Sequence, residues 1–234
     1  MQAIKDIMAT KTIPTPSKTG DSATVEQSPA NEAQERGFSY PKQLEAIKKS
    51  LPPRYKDIEP DFAMLRKLET QSVLLTGAVG SGKTRKLLET MTAYLIEHCQ
   101  NKAFYYFENG YVPVTPKQVQ GLFLSVPMVL FQLKEEFDHH PQGESLLERM
   151  IKAPVLFLDD LGAEKASEWV KEQLYIVINE RYNWVRPVLL TTNLTAKEIA
   201  DNYGDRFASR IVEMCEIVNY GGTDKRIDKR PKSA

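Results

Sequence analysis

A glycine-rich stretch in the first half of the chain carries the residue types that bind phosphate. Residues 72–84 read SVLLTGAVGSGKT, and the part from Gly77 to Thr84 fits the pattern G-x-x-x-x-G-K-S/T. Glycines let backbone N–H groups turn toward a polyanion, and the helix predicted to follow presents the positive end of its dipole. Lys83 can reach the β- and γ-phosphates, and the Thr84 hydroxyl can ligate Mg²⁺. The predicted nucleotide-binding residues are Gly77, Ala78, Val79, Gly80, Ser81, Gly82, Lys83 and Thr84.

A second stretch places two acids at the end of an apolar run. Val155–Asp160 read VLFLDD, which predicts a strand buried on both faces, as in a parallel sheet. The carboxyl ends of such strands are where open α/β sheets bind ligands. Asp159 would hold the metal through water, and Asp160 would orient or deprotonate the attacking water. The alternative is a solvated strand end, but the preceding phosphate-binding pattern favours the hydrolytic interpretation.

Further polar residues follow the next predicted elements. The apolar run Val188–Thr192 predicts a buried strand that ends at Asn193, whose amide could bond the γ-phosphate or the attacking water, or simply turn the chain. Arg206 and Arg210 are four residues apart and therefore share one face of a predicted helix. The alternative for this pair is an ordinary solvated surface.

Composition limits the class of protein. The chain has 234 residues, 41% hydrophobic and 26% charged, which predicts one globular domain with extensions. It contains neither an apolar stretch of membrane-span length nor a signal-peptide pattern, so we expect a cytoplasmic protein without a membrane partner. Cys99 and Cys215 form no C-x-x-C pair, which argues against a disulfide framework or a cysteine zinc site. Lys plus Arg and Asp plus Glu both number 31, so composition alone does not indicate nucleic-acid binding.

Three segments are predicted along the chain. Residues 1–37 are predicted as a largely disordered extension, because Lys11–Arg36 is polar and contains almost no large apolar residue. Residues 38–226 form the globular domain, and residues 227–234 form a basic tail. Ile4, Ile7 and Met8 lie on one stripe of a short helix, which is either a frayed terminus or a peptide that docks on a partner.

Apolar periodicity predicts alternating strands and helices within the domain. Arg54–Leu65 is predicted as a turn-rich lead-in, with Tyr55 and Ile58 as candidates for adenine contact or for ordinary packing. Ala103–Gln120 contains Asn109-Gly110 between aromatic and β-branched runs and predicts a hairpin, with base stacking by its aromatics as the alternative. Helices are predicted over 40–50, 83–99, 127–137, 145–151, 164–185 and from 196 onward, and strands before 77 and over 122–126, 155–160, 188–192 and 216–220.

With these motifs placed, the chain resembles the AAA+ ATPases of the DnaC helicase-loader type and the related IstB-like transposition helpers. The resemblance covers about residues 51–226 and rests on GAVGSGKT, LFLSVPMVLFQLKEEF, VLFLDDLGAEKASEWV, LLTTNL, DRFASRI and GTDKR, in that order. The order DDLGAEK, TTN and RxxSR is more specific than the phosphate loop alone. The resemblance implies a three-layer α/β/α P-loop NTPase fold with a parallel five-stranded sheet of order 5-1-4-3-2.

The resemblance also implies roles for individual residues, with ATP and Mg²⁺ as cofactors. Lys83 and Thr84 match the Walker A ligands, Asp159 and Asp160 the Walker B pair, Asn193 sensor 1, and Arg226 a second sensor. Arg210 best matches an arginine finger that acts on a neighbouring subunit's ATP, and Arg206 is the second candidate. Such a cation supplied in trans would stabilise transition-state charge and would make hydrolysis depend on assembly into a homo-oligomer.

The resemblance implies an ATPase of DNA replication that loads a replicative helicase onto single-stranded DNA. The alternatives are a transposition helper that recruits a transposase to DNA, a non-hydrolysing ATP-binding adaptor and, with least support, a P-loop kinase. Asp160 stands where AAA+ enzymes more often have Glu, and its shorter side chain predicts slow turnover. The sequence leaves open the partner, the number of subunits, the choice between Arg206 and Arg210, and whether DNA stimulates hydrolysis.

Overall fold

A computed structural model describes residues 40–98, 121–139, 144–163 and 167–221. Five strands form one sheet in the order β2-β3-β4-β1-β5, and every pairing is parallel. Read from the other edge this is 5-1-4-3-2, so the predicted strand order is confirmed. The strands are β1 Ser72–Gly77, β2 Gly121–Ser125, β3 Val155–Leu161, β4 Val188–Thr192 and β5 Cys215–Tyr220.

Helices cover both faces of the sheet, which confirms the three-layer architecture. They are α1 Tyr40–Ser50, α2 Phe62–Thr70, α3 Lys83–His98, α4 Val126–His139, α5 Leu146–Lys152, α6 Glu168–Asn183, α7 Ala196–Tyr203 and α8 Asp205–Met214. Successive strand residues point to opposite faces, so neighbours along one strand join different hydrophobic clusters. Val73 and Leu75 pack in the cluster with α1, α2 and α3, whereas Leu74 packs in the cluster with α4 to α8.

The predicted lead-in over Arg54–Leu65 is wrong in its second half. A 3₁₀ turn spans Pro53–Tyr55, and helix α2 begins at Phe62. Asp61 caps this helix, since its side chain accepts a hydrogen bond from the Met64 N–H at 2.9 Å. The cap and the buried apolar stripe of Met64, Leu65 and Leu68 stabilise a helix directly before β1.

Helix α6 is shorter than the predicted span of 164–185. Ser167 caps its first turn by accepting a hydrogen bond from the Val170 N–H, and residues 164–166 lie outside the described part of the chain. The helix ends at Asn183, and Val185 adopts a φ of 50°, which a continuing helix does not permit.

Arg181 on α6 lies at the amino end of the sheet and donates hydrogen bonds to the main chain there. Its side chain is fully buried and donates hydrogen bonds to the carbonyls of Met150, Ala153 and Pro187 at 2.7, 2.8 and 2.7 Å. The carbonyls of Ile151 and Pro154 accept at 3.3 and 3.4 Å. One guanidinium therefore joins the end of α5 to the starts of β3 and β4.

Several predictions concern residues outside the described part of the chain. They are the extension 1–37, the hairpin within 103–120, Arg226 and the tail 227–234. The division into three segments therefore stays a prediction. Among the described residues, no helix is both long enough and apolar enough to cross a membrane.

Candidate nucleotide site

The glycine-rich loop joins the carboxyl end of β1 to the first turn of α3. Gly77 begins the loop with a φ of 139°, and a Cβ at this position would lie 2.1 Å from the carbonyl oxygen of Tyr220. Only glycine fits there, because the loop passes directly against the end of β5. Helix α3 starts at Lys83, so the N–H groups of its first turn and the positive end of its dipole face the loop.

Lys83 is buried in the loop and links it to the end of β4. Its ammonium group donates hydrogen bonds to the carbonyls of Gly77 and Ala78 at 2.8 and 2.9 Å. It also donates to the side-chain oxygen of Asn193 at 2.7 Å. The structure thus brings together two predicted site residues that are 110 positions apart in the sequence.

The predicted metal-binding residues also meet at this edge of the sheet. The Thr84 hydroxyl donates to Oδ1 of Asp159 at 3.1 Å. Asp159 is buried at the end of β3, and its Oδ1 also accepts from the Thr191 hydroxyl at 2.6 Å. Hydroxyl and carboxylate oxygens are ligands that Mg²⁺ prefers, so this donor set fits that ion.

Asp160 lies in an unusual backbone conformation beside Asn193. Its φ is 64°, in the left-handed region, and the pairing of β3 with β4 shifts register between Leu158 and Leu161. The backbone N–H of Asp160 donates to the Thr191 hydroxyl at 2.8 Å, and the Asn193 amide donates to Oδ1 of Asp160 at 3.2 Å. The irregularity turns the second acid toward the residue that also contacts Lys83.

Burial controls the ionisation of Asp159. Loss of solvent raises the pKa of this carboxyl group above its ordinary value, and the nearby charge of Asp160 raises it further. The hydrogen bonds from Thr191 and Thr84 and the charge of Lys83 act in the opposite direction. A cation bound at this edge would relieve the cost of the buried charge, which is the electrostatic property expected of a metal ligand.

Thr191 is a site residue that the sequence prediction missed. One hydroxyl donates to the Asp159 carboxylate and accepts from the Asp160 backbone, so it fixes both acids. The available signal was the pair of hydroxyl residues, Thr191 and Thr192, that ends an apolar run directly before Asn193. A threonine is also an ordinary strand residue, and only the parallel pairing of β3 with β4 gives this hydroxyl its partners.

A cavity of about 570 Å³ adjoins the loop on the face of the sheet that α7 and α8 cover. Its wall includes Gly77, Ala78 and Asn193 and is otherwise mainly apolar. The candidates for adenine contact, Tyr55 and Ile58, lie instead in the hydrophobic cluster on the other face. The structure therefore supports ordinary packing for these two residues, which is the alternative to adenine contact.

The candidate arginines lie apart from these residues. Arg210 on α8 packs against α6, where its Nε donates to the Asn179 side chain at 3.4 Å. Arg206 is exposed and makes no hydrogen bond or ion pair with any residue that the structure describes. Within the described ranges, neither arginine bonds to Lys83 or to the two acids.

Comparisons with known proteins show what the chain is similar to. The family described as "IstB-like ATP binding protein" matches residues 117–233, which is half of the chain. The match includes Asp159, Asp160, Asn193 and Arg210, and the glycine-rich loop precedes it.

Two curated relatives come from Bacillus subtilis (strain 168). Phage-like element PBSX protein XkdC is 32% identical over 165 residues, which are 68% of this chain and 53% of the relative. Replicative helicase loader DnaI is 25% identical over 119 residues, which are 48% of this chain and 38% of the relative. The chain thus spans about half the length, or less, of these relatives.

The fold is also found in a solved structure. The crystal structure of the DnaC helicase loader superposes with a TM-score of 0.51 at 23% identity, and the match covers 83% of this chain and 94% of that one. At this identity the likeness concerns the fold, which is that of AAA+ P-loop NTPases.

Proposed function

The chain belongs to the family of IstB-like ATP-binding proteins, and on this premise we propose that it is an ATPase that loads a replicative helicase onto single-stranded DNA. The observation that carries the ATPase part is the set of contacts at the carboxyl end of the sheet. Lys83 contacts Asn193, Asn193 contacts Asp160, and Asp159 contacts Thr84. These contacts link a lysine that can bind phosphate, two acids and a polar amide, which are the groups that nucleotide hydrolysis requires.

ATP and Mg²⁺ would be held by residues of the loop and of β3. The backbone N–H groups of the loop and the Lys83 ammonium group would bind phosphate oxygens, while Thr84 and Asp159 would hold the ion. When bound, the ion neutralises charge on the phosphates. Lys83 now bonds loop carbonyls and Asn193, so binding of a phosphate would exchange some of these partners for phosphate oxygens.

Asp160 and Asn193 are positioned to act on the attacking water. Asp160 is half-buried and accepts a hydrogen bond from the Asn193 amide, which fixes one carboxylate oxygen. The other oxygen would orient the water and take its proton. Because Asn193 contacts both Lys83 and Asp160, it would also make the geometry of the acid sensitive to the phosphates.

Arg210 would act on the ATP of a neighbouring copy. Its hydrogen bond, ion pair and ring contact within the described part of the chain all go to residues of α6 and α8, and 34% of its side chain is exposed. A cation that completes the site in trans makes turnover depend on assembly, with an expected acceleration of about 10³-fold or more.

The helicase-loader role is supported by the match to DnaI, which is named as a replicative helicase loader. The match to the family of IstB-like ATP-binding proteins keeps a second candidate, the transposition helper that the resemblance in the sequence also implies. The two roles differ in the partner and in the form of DNA. They also predict different genomic neighbours, a helicase gene or a transposase gene.

The ATPase proposal is tested by size and turnover measurements on the wild type and on Arg210→Ala. We expect ATP to drive assembly and Arg210→Ala to retain ATP binding while its turnover falls by about 10³-fold. Arg206→Ala is the comparison variant, since it removes the second candidate for the finger, an exposed arginine one helical turn earlier. Normal turnover in Arg206→Ala supports Arg210, whereas lost turnover there beside a normal Arg210→Ala would assign the finger to Arg206. A monomeric protein whose Arg210→Ala variant hydrolyses ATP normally would contradict the trans site.

The DNA and partner proposals need a second measurement. Turnover is compared without DNA, with single-stranded DNA and with duplex DNA, and complexes with the replicative helicase of the source organism are followed by size. A helicase complex and a response to single strands support the loader, whereas assembly on duplex DNA supports the transposition helper. Wild-type turnover that is no faster than that of Asp160→Asn would indicate a non-hydrolysing adaptor.

A further inference from the structure

Side chains from two helices hold Arg210 in place. The Arg210 guanidinium carbon lies 4.3 Å from the centroid of the Tyr182 ring, within the range of a cation–π contact. Its Nε donates to Asn179, and its Nη1 lies 3.7 Å from the Glu213 carboxylate. We call Asn179, Tyr182 and Glu213 the Arg210 cradle.

The members of the cradle also bond to one another. The Tyr182 hydroxyl donates to the Glu213 carboxylate, which joins α6 to α8 directly beside Arg210. This bond orients the Tyr182 ring, since a ring with its hydroxyl fixed cannot turn away from the guanidinium. Tyr182 therefore provides both a face for Arg210 and a link to the acid that faces it.

The contacts leave one edge of the guanidinium open. Within the described part of the chain, Nη2 of Arg210 makes no hydrogen bond, and Nη1 makes only the long contact with Glu213. Arginine binds phosphate through such a planar edge, with two parallel N–H donors. The cradle thus holds the guanidinium by its Nε and by its ring-facing surface and leaves free the donors that would reach an anion.

We propose that Tyr182 is a positioning residue that sets Arg210 in the geometry needed to act on ATP bound by a neighbouring copy. The inference rests on the function proposed above. An arginine side chain has many rotamers, and fixing it in advance reduces the entropy lost when it engages the phosphates. Preorganised donors stabilise developing charge better than mobile ones, so the effect should fall on turnover and leave ATP binding unchanged.

The first test compares Tyr182→Ala with Tyr182→Phe. Tyr182→Ala removes the ring, and we expect its kcat to fall about tenfold with unchanged KM and Kd for ATP, because a small misplacement of a catalytic group costs rate. Tyr182→Phe keeps the ring and loses only the bond to Glu213, so its kcat should recover to within about threefold of the wild type. Trp184→Ala is the matched control, since Trp184 follows the same helix but lies beside Arg186, and its kcat should be unchanged.

A second test asks whether Tyr182 acts through Arg210. The double variant Tyr182→Ala/Arg210→Ala should hydrolyse ATP no more slowly than Arg210→Ala alone, because the ring has no role once the arginine is gone. In mixtures, Asp160→Asn copies keep Arg210 and its cradle, so they should restore turnover at the intact sites of Tyr182→Ala neighbours.

The outcomes separate this inference from the proposed function. If Arg210→Ala hydrolyses ATP normally, the proposed trans site is wrong and the inference falls with it. If Arg210→Ala is inactive while Tyr182→Ala has wild-type kcat, the proposed function stands and the inference is overturned. A double variant slower than Arg210→Ala, or weaker ATP binding in Tyr182→Ala, would give Tyr182 a structural role and would also overturn it.

Discussion

Two charged side chains are buried at opposite ends of the sheet, and their surroundings differ in kind. Arg181 at the amino end donates to five backbone carbonyls, and burial lowers its pKa to about 9. Asp159 at the carboxyl end accepts from two hydroxyls, and burial raises its pKa. The hydrogen-bond partners of Arg181 are all main-chain carbonyls, although the charge of Arg186 also lowers its pKa. The hydrogen-bond partners of Asp159 are side-chain hydroxyls, and the charges of Asp160 and Lys83 act on its pKa in opposite directions. The charge of Arg181 therefore serves the fold, whereas the Asp159 carboxylate can also bind a cation.

The largest expected change in stability follows from replacing Arg181 at the amino end of the sheet. Arg181→Met fills much of the same volume and removes the guanidinium donors from all five carbonyls, of which those of Pro187 and Ile151 keep a second donor, the N–H of Leu156 and the Arg186 side chain. We expect the free energy of unfolding to fall by about 3–5 kcal/mol, since losses of this size follow from breaking a buried hydrogen-bond network. Urea unfolding of the two proteins measures the change.

Arg186→Met is the matched control for that prediction. Arg186 lies near the same end, but it donates to one carbonyl, that of Ile151, and its guanidinium otherwise faces Trp184. Its removal should cost about 1 kcal/mol, the usual value for one hydrogen bond. Equal losses in the two variants would show that the amino end does not depend on Arg181 in particular.

Replacing the buried acid at the carboxyl end of the sheet should instead raise the free energy of unfolding. In Asp159→Asn the side-chain oxygen can still accept from Thr84 and Thr191, because both hydroxyls bond Oδ1. The variant therefore removes a buried charge and keeps its hydrogen bonds. We expect stability without nucleotide at neutral pH to rise by about 1 kcal/mol, or about 2–4 °C in Tm, while ATP turnover with Mg²⁺ is lost.

The pH dependence of this gain follows from the raised pKa of Asp159. Between its ordinary pKa of 3.8 and the higher folded value, the folded protein binds more protons at this group than the unfolded chain does. The contribution of Asp159 to stability therefore falls as pH rises through that window. Thermal unfolding at several pH values should show the difference between Asp159→Asn and the wild type growing from acid toward neutral pH. A constant difference would mean that the charge of Asp159 is not its cause.

The two ends were not equally predictable from sequence. The phosphate loop and the acid pair are short patterns in which spacing itself implies geometry, so the sequence predicts Lys83, Thr84 and Asp159 as site residues, and the structure brings them to one edge of the sheet. Arg181 reads as one more polar residue of an amphipathic helix. Its partners lie in residues 150–154 and at Pro187, and no local pattern predicts their convergence. Thr191 was missed for the same reason, because its hydroxyl acts across the pairing of two strands.

Helix α2 and the pair Arg206 and Arg210 also show that local sequence patterns do not predict packing between elements. The turn-forming residues before Phe62 favour an irregular segment in the sequence, but the Asp61 cap and burial against α3 stabilise a helix there. Arg206 and Arg210 lie on the same helical face in sequence, yet only Arg210 meets Tyr182 of α6. Periodicity places residues on a face, and packing between elements determines which of them acquires partners.

The smallest expected effect comes from lengthening the second acid. Asp160 has a shorter side chain than the glutamate more common in AAA+ enzymes, which suggests that Asp160→Glu would speed hydrolysis. The φ of 64° argues otherwise, because aspartate and asparagine tolerate the left-handed region better than longer residues do. Glutamate would also move its carboxylate away from the position where Asn193 donates to it.

We therefore expect Asp160→Glu to hydrolyse ATP no faster than the wild type and to lose about 0.5–1 kcal/mol of stability, which turnover assays and urea unfolding would measure. Asp160→Asn suits the same backbone conformation, so it should keep its stability while turnover falls by about 10²–10⁴-fold through loss of the base. A faster and equally stable Asp160→Glu variant would show that side-chain length alone limits turnover. Asp160→Asn keeps the backbone shape and loses the charge, whereas Asp160→Glu keeps the charge and strains the backbone. Comparing the two variants therefore separates the effect of the β3 irregularity on turnover from the effect of the carboxylate charge.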